Sequence, residues 1–129
     1  MSENANLPAG LHTITPYFTV KDADRLMAFL ITVFGATVVK EDRDGENQIK
    51  HARLQIGDSL IMLNTASDHY PANISQMHLY VADTDAAYKR ALASGAVSIM
   101  SPNQRPHGDR MAGIKDPTGN IWWIATPKG

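Results

Sequence analysis

The chain contains no cysteine, which excludes disulfides, thiolate metal ligands and a cysteine nucleophile. It has no surplus of either charge: 12 basic residues stand against 13 acidic ones, net −1, with no basic cluster. A nucleic acid or an anionic membrane would therefore find no electrostatic footprint. No apolar run approaches the roughly 20 residues of a membrane-spanning helix. Met1 to His12 carry neither the basic nor the apolar region of a signal peptide. The expectation is a cytoplasmic protein with no membrane partner and a flexible tail over residues 1–12. Walker A, Gly-x-Gly-x-x-Gly, His-Glu-x-x-His and Gly-x-Ser-x-Gly motifs are all missing, so no cofactor and no serine nucleophile are expected. What is present is ordinary for one globular domain: 129 residues, 43% hydrophobic and 19% charged.

The chain is written twice. Tyr17-Phe18-Thr19-Val20-Lys21-Asp22-Ala23-Asp24 aligns with His78-Leu79-Tyr80-Val81-Ala82-Asp83-Thr84-Asp85, each a short strand followed by Val-x-Asp-x-Asp. At the same spacing Leu60-Ile61-Met62-Leu63 aligns with Ile121-Trp122-Trp123-Ile124, and at one residue less Gly35-Ala36 aligns with Gly95-Ala96. Asp22 and Asp83 suit N-caps, and Gly35 and Gly95 suit the left-handed position that ends a helix. The second helix is expected to be one residue shorter. Asp44-Gly45, Gly57-Asp58 and Asp116-Pro117-Thr118-Gly119 mark hairpin turns. The order β-α-β-β-β, given twice, predicts an α+β fold of two βαβββ modules forming a concave mixed sheet. The boundaries are module one at 13–64, a linker at 65–73 and module two at 74–128, together a single domain over 13–128.

Period-2 alternation sorts the strand residues by face. Ile14, Phe18 and Val20 face one way, with Ala52, Leu54, Ile56, Met77, Leu79 and Val81 in the corresponding apolar set. These are predicted to pack under the helices. Thr15, Tyr17, His51, Arg53, Gln55, Gln76, His78 and Tyr80 face the other way. That set is polar and aromatic, and two sheets side by side would gather it into one groove.

Val-x-Asp, Phe-Gly-Ala and Asp-Pro-x-Gly on two βαβββ modules resemble the vicinal-oxygen-chelate superfamily of glyoxalases, bleomycin-type resistance proteins and extradiol dioxygenases. The resemblance runs from Ile14 to Thr126, and Ile14-Thr15-Pro16-Tyr17, Gly57-Asp58-Ser59, Gly108-Asp109-Arg110 and Trp122 to Ala125 are similar to its PhnB-like branch. It implies a glyoxalase-like fold and a small-molecule cavity. The superfamily's metal enzymes carry His or Glu at one position on the first and last strand of each module. Here those positions hold Thr15, Met62, Gln76 and Trp123, with no imidazole and no carboxylate. A divalent ion needs several such donors, so no metal is expected.

Each remaining candidate has two readings. His78 is the catalytic candidate, a general acid/base or donor to a ligand, or else a cavity-lining histidine; a shifted metal site with His51 lacks a carboxylate. Arg53, flanked by His51 and Gln55, forms a bidentate fork for a carboxylate, phosphate or phosphonate, or a salt bridge to Glu46 or Asp68. Tyr17, Tyr80 and Trp123 stack on a planar ligand or pack between sheets. Gly108-Asp109-Arg110 covers the groove or closes a turn with a local Asp-Arg pair. In the first helix Leu26, Leu30 and Val33 make one apolar stripe, and Met27, Ile31 and Phe34 make a second. That second stripe points to a homodimer, unless the tail or the linker near Tyr70 covers it.

The functional expectation is a glyoxalase/bleomycin-resistance-like protein that binds a small organic molecule, for resistance or sequestration, without the usual metal ligands. The alternatives are a metal-dependent or His78-dependent lyase, isomerase or dioxygenase, and a non-catalytic interaction module. Sequence leaves open whether anything is chemically transformed.

Overall fold

The computed structural model describes residues 7–128, so the tail expected over 1–12 lies partly outside the described residues. The elements are β1 (Tyr17–Val20), α1 (Ala23–Phe34), β2 (Thr37–Arg43), β3 (Ile49–Ile56), β4 (Ser59–Thr65), β5 (Gln76–Tyr80), α2 (Thr84–Ala93), β6 (Val97–Gln104), β7 (Arg110–Lys115) and β8 (Ile121–Thr126). They form two four-stranded mixed sheets, β1-β4-β3-β2 and β5-β8-β7-β6. In each, the first and last strands of the module run parallel and the other neighbours antiparallel. The repeat extends to register: Tyr17 lies opposite Met62, and their counterparts His78 and Trp123 lie opposite each other.

The caps follow from the residues that the sequence supplies. The Asp22 carboxylate accepts from Arg25 N at 3.0 Å and that of Asp83 from Ala86 N at 3.1 Å, satisfying otherwise orphaned amides. Gly35 and Gly95 both have positive φ. Ser94 leaves the helical conformation before Gly95, so α2 has 10 residues against 12 in α1. In the β2–β3 hairpin the left-handed residue is Asn47, not Gly45. The Asp44 carboxylate folds that loop by accepting from Glu46 N and Gln48 N. In the last turn the buried Asp116 carboxylate accepts from Thr118 N, Thr118 Oγ1, Asn120 N and Trp122 Nε1.

The inner faces of both sheets contribute to one core. Phe18 of β1 stacks on Trp122 of β8 with ring centroids 5.5 Å apart, and Phe34 lies 5.3 Å from the same indole. Each helix also caps the other. Arg25 of α1 donates to Ser94 O at 3.0 Å, and Arg90 of α2 donates to Val33 O through Nε and Nη2 at 3.1 and 3.0 Å. Cations at helix C-termini satisfy the last carbonyls and oppose the negative end of the dipole.

Several expectations are corrected here. Ile14 is not in the core but 84% exposed, because strand pairing begins only at Tyr17, beyond Pro16. Ile56, Met77, Leu79 and Val81 are half-buried at the edge of the core rather than inside it. The second stripe of α1 is largely consumed within the chain. Phe34 packs on Trp122, Met27 is half-buried against the core, and only Ile31 stays open, at 42% exposed. Among the described residues it is module two, through Trp122, that covers Phe34.

Candidate functional site

Because Phe18 and Trp122 meet in the core, alternation carries Tyr17 and Trp123 to the outer faces of their sheets. The residues expected to share one groove therefore fall into two groups, each across its own sheet from the shared core. No hydrogen bond or ring contact joins the groups among the described residues. In physical terms, the alternation was readable, but the packing of one sheet against the other is a long-range outcome.

On module one, Tyr17, Met62 and Arg53 lie in one row across β1, β4 and β3, with Thr15 half-buried just before β1. Tyr17 Oη and His51 Nδ1 share a hydrogen bond of 3.1 Å, with ring centroids 5.8 Å apart. Gln55 Nε2 donates to Gly57 O at 3.0 Å, so this side chain braces the β3–β4 turn. Arg53 has neither of the salt bridges expected for it, to Glu46 or to Asp68, among the described residues.

On module two, His78, Trp123 and Gly113 form the corresponding row across β5, β8 and β7. A Cβ on Gly113 would lie 2.5 Å from Cζ3 of Trp123, so only glycine lets the indole lie across β7. Trp123 Nε1 donates to Gln76 Oε1 at 2.9 Å, which fixes the other end of the ring. The indole is half-buried and spans the sheet from β5 to β7. Beside it His78 meets Tyr80 edge to face at 5.0 Å. His78 has no hydrogen-bond partner among the described residues. The Gly108-Asp109-Arg110 loop has no internal Asp-Arg pair. Arg110 instead grips Asp85 at the start of α2 through Nε and Nη2, both at 3.1 Å, and Asp109 faces His107.

A cavity of about 680 Å³ opens between the modules, around the free edge of β5. Phe34, Ile56, Leu79 and Trp122 give it apolar walls, while Asp58, His78 and Tyr80 add polar groups. Sequence reasoning did not find this seam. Gly113 was also missed, although a lone glycine inside a strand is a signal of close approach.

The residues at the superfamily's metal positions do not fit a divalent ion. Met62 and Trp123 offer no hard donor, and the one amide oxygen, Gln76 Oε1, already accepts from the indole. His51 and His78 lie on different sheets. Among the described residues no three His, Asp or Glu side chains converge.

Two paired modules of this topology, with a candidate site on their sheets, define a class that comparison with known proteins identifies. The sequence model of the Glyoxalase/Bleomycin resistance protein/Dioxygenase superfamily matches residues 10–124, and the chain belongs to that superfamily. It is similar to the uncharacterized protein Mb0911c of Mycobacterium bovis, 27% identical over 125 residues, covering 88% of this chain and 82% of that protein. The crystal structure of TioX from Micromonospora sp. ML1 matches with a TM-score of 0.76 at 23% identity, covering 90% of this chain and 98% of TioX. A PhnB protein from Bacillus cereus matches with a TM-score of 0.71 at 19% identity, covering 89% of this chain and 99% of that one. These structural likenesses concern the fold. No helix among the described residues is long and apolar enough to cross a membrane.

Proposed function

We propose that this superfamily member, of the PhnB-like branch that its short motifs resemble, binds a small planar organic molecule and works without a divalent metal. The observation that carries the reading is the Trp123 indole. It occupies a metal-ligand position of the superfamily's enzymes, lies across Gly113 and is held by Gln76. A flat, half-exposed π-surface held in one orientation is a stacking platform for an aromatic or conjugated ligand. Tyr80 and His78 flank it, and Tyr17 and His51 stand at the corresponding part of module one. Binding rather than turnover is favoured because no side chain among the described residues orients His78, and a general base needs a partner that fixes its tautomer and direction. A homodimer belongs to the same proposal, since a second copy would cover the two open outer faces.

The test is a melting screen with planar aromatic probes, read together with tryptophan fluorescence, since Trp122 is buried and Trp123 is half-exposed. Stabilising probes should quench the emission, and Trp123→Ala should remove both effects. A screen without a stabilising probe would sink the reading. Elemental analysis of protein purified without a histidine tag should find no stoichiometric zinc, nickel, manganese or iron. One bound equivalent that disappears in His78→Ala or His51→Ala would reverse the metal-free part.

A further inference from the structure

We infer that the outer face of module one is an oxyanion site, on which Arg53 grips a carboxylate, phosphate or phosphonate carried by the ligand. The inference rests on the small-molecule reading above and adds to it a ligand class and a second binding face, which the proposed homodimer would have to bring opposite Trp123 of the other copy for one ligand to touch both.

The chain has six arginines: Arg25, Arg43, Arg53, Arg90, Arg105 and Arg110. Five of them donate hydrogen bonds within the chain. Arg25 and Arg90 hold carbonyls of the opposite helix, Arg43 and Arg110 hold carboxylates, and Arg105 holds Asn103. Arg53 alone has no partner among the described residues. Its Nε is nevertheless out of reach of solvent, and a buried donor attached to a charge is costly to leave unpaired.

Only one other buried side-chain polar atom among the described residues lacks a partner, and it lies on the same face. This is Oδ1 of Asn64 on β4. Arg53 is opposite Met62, and Asn64 is two residues further along β4. The two are thus diagonal neighbours, about 7–8 Å apart by ordinary sheet geometry. One site therefore offers a charged donor and, beside it, an open acceptor. Such a pair fits a ligand whose anionic group sits next to a hydroxyl or amine.

The surrounding charges allow it. Lys40 is opposite Arg53 on β2 and its ammonium faces Asp42 at 3.8 Å, so these two largely offset each other at the edge of the face. Tyr17 and His51 add further hydrogen-bonding groups. The guanidinium fork matches two oxygens of one anion, a match that a lysine gives only in part.

The experiment compares benzoate and phenylphosphonate with neutral benzamide, using the full chain, by calorimetry and by the NMR signal of the Arg53 Nε–H. The anions should bind at least about tenfold more tightly than benzamide and shift that signal saturably. Arg53→Gln should erase the preference, and Arg53→Lys should restore part of it. The Nε–H signal of the unaltered protein answers the question even if a variant folds poorly. If benzamide binds as well as benzoate and the signal stays still, the oxyanion site is wrong while the small-molecule reading survives. If no probe of either charge binds, both fall. If Arg53→Gln halves the mass in light scattering but leaves benzoate binding intact, Arg53 answers a carboxylate of a second copy and the inference is overturned.

Discussion

Gly113 and Trp123 show how one missing methyl group shapes a face. The indole rests where a Cβ would stand, so Gly113→Ala must lift the ring, since a backbone strand cannot retreat from it. The ring is rigid, and raising it breaks the 2.9 Å bond to Gln76. We expect Gly113→Ala to destabilise the fold by about 1–3 kcal/mol, as overpacking generally does. It should also shift the indole N–H resonance of Trp123 while leaving that of Trp122, whose N–H is held by Asp116. An unmoved Trp123 resonance would mean that the indole does not need the glycine. The contrast between the adjacent tryptophans is one of alternation: Trp122 faces the core and Trp123 the open face.

At the scale of elements, each helix begins under a two-pronged arginine grip. Arg43 at the end of β2 holds Asp24 and Arg110 at the start of β7 holds Asp85; the two aspartates correspond in the repeat, the two arginines do not. The hydrogen bonds from Arg43 are the main cause that holds the Asp24 carboxyl below its ordinary value of 3.8, against a smaller opposing effect of burial. A carboxyl whose value is lower in the folded state adds stability above its unfolded value and loses it as pH falls through the folded one. Arg43→Gln should therefore cost a little stability near pH 6 and progressively less below about pH 3.8, with salt weakening the difference. Chemical denaturation at pH 6 and pH 3 checks this, and an equal loss at both would remove Asp24 from the explanation.

The N-caps, the places of the turns and the division of residues between two faces of each sheet were legible in the sequence, because each depends on neighbours a few positions away; the left-handed residue of the β2–β3 turn, Asn47, and the end of α2 at Ser94 were not. An aspartate before a helix, a glycine after it and period-2 alternation are local statements. Three long-range features were not legible either. Covering of Phe34 by Trp122 joins residues from different modules. The isolation of Arg53 depends on where every acid ends up. The separation of Tyr17 and His51 from His78 and Trp123 depends on how two sheets share a core. The α1 surface left for a partner also shrank, from a stripe to Ile31 alone.

At the scale of the whole molecule, the proposed homodimer predicts a light-scattering mass near twice the 14.1 kDa of one chain at micromolar concentration. A value near 14.1 kDa would contradict it. Ile31→Glu should leave the dimer nearly intact, since one exposed isoleucine is a poor anchor. Dissociation by that change would return the interface to α1. Other exposed apolar side chains, Val38 and Val39 on β2 and Val97 and Ile99 on β6, lie along outer sheet edges and offer the wider surface.

The shared interior also governs how the protein comes into being. A domain of self-sufficient halves could complete its first half while the second was still being translated. Here Phe18 and Phe34 wait for Trp122, and the end of α1 waits for Arg90. A growing chain that has made all of module one therefore still shows apolar surface that only much later residues can cover. At synthesis rates of about 5–20 residues per second, that exposure lasts on the order of seconds. During this interval that surface is open to aggregation, so the vulnerability of the chain is set by the order in which its residues are made.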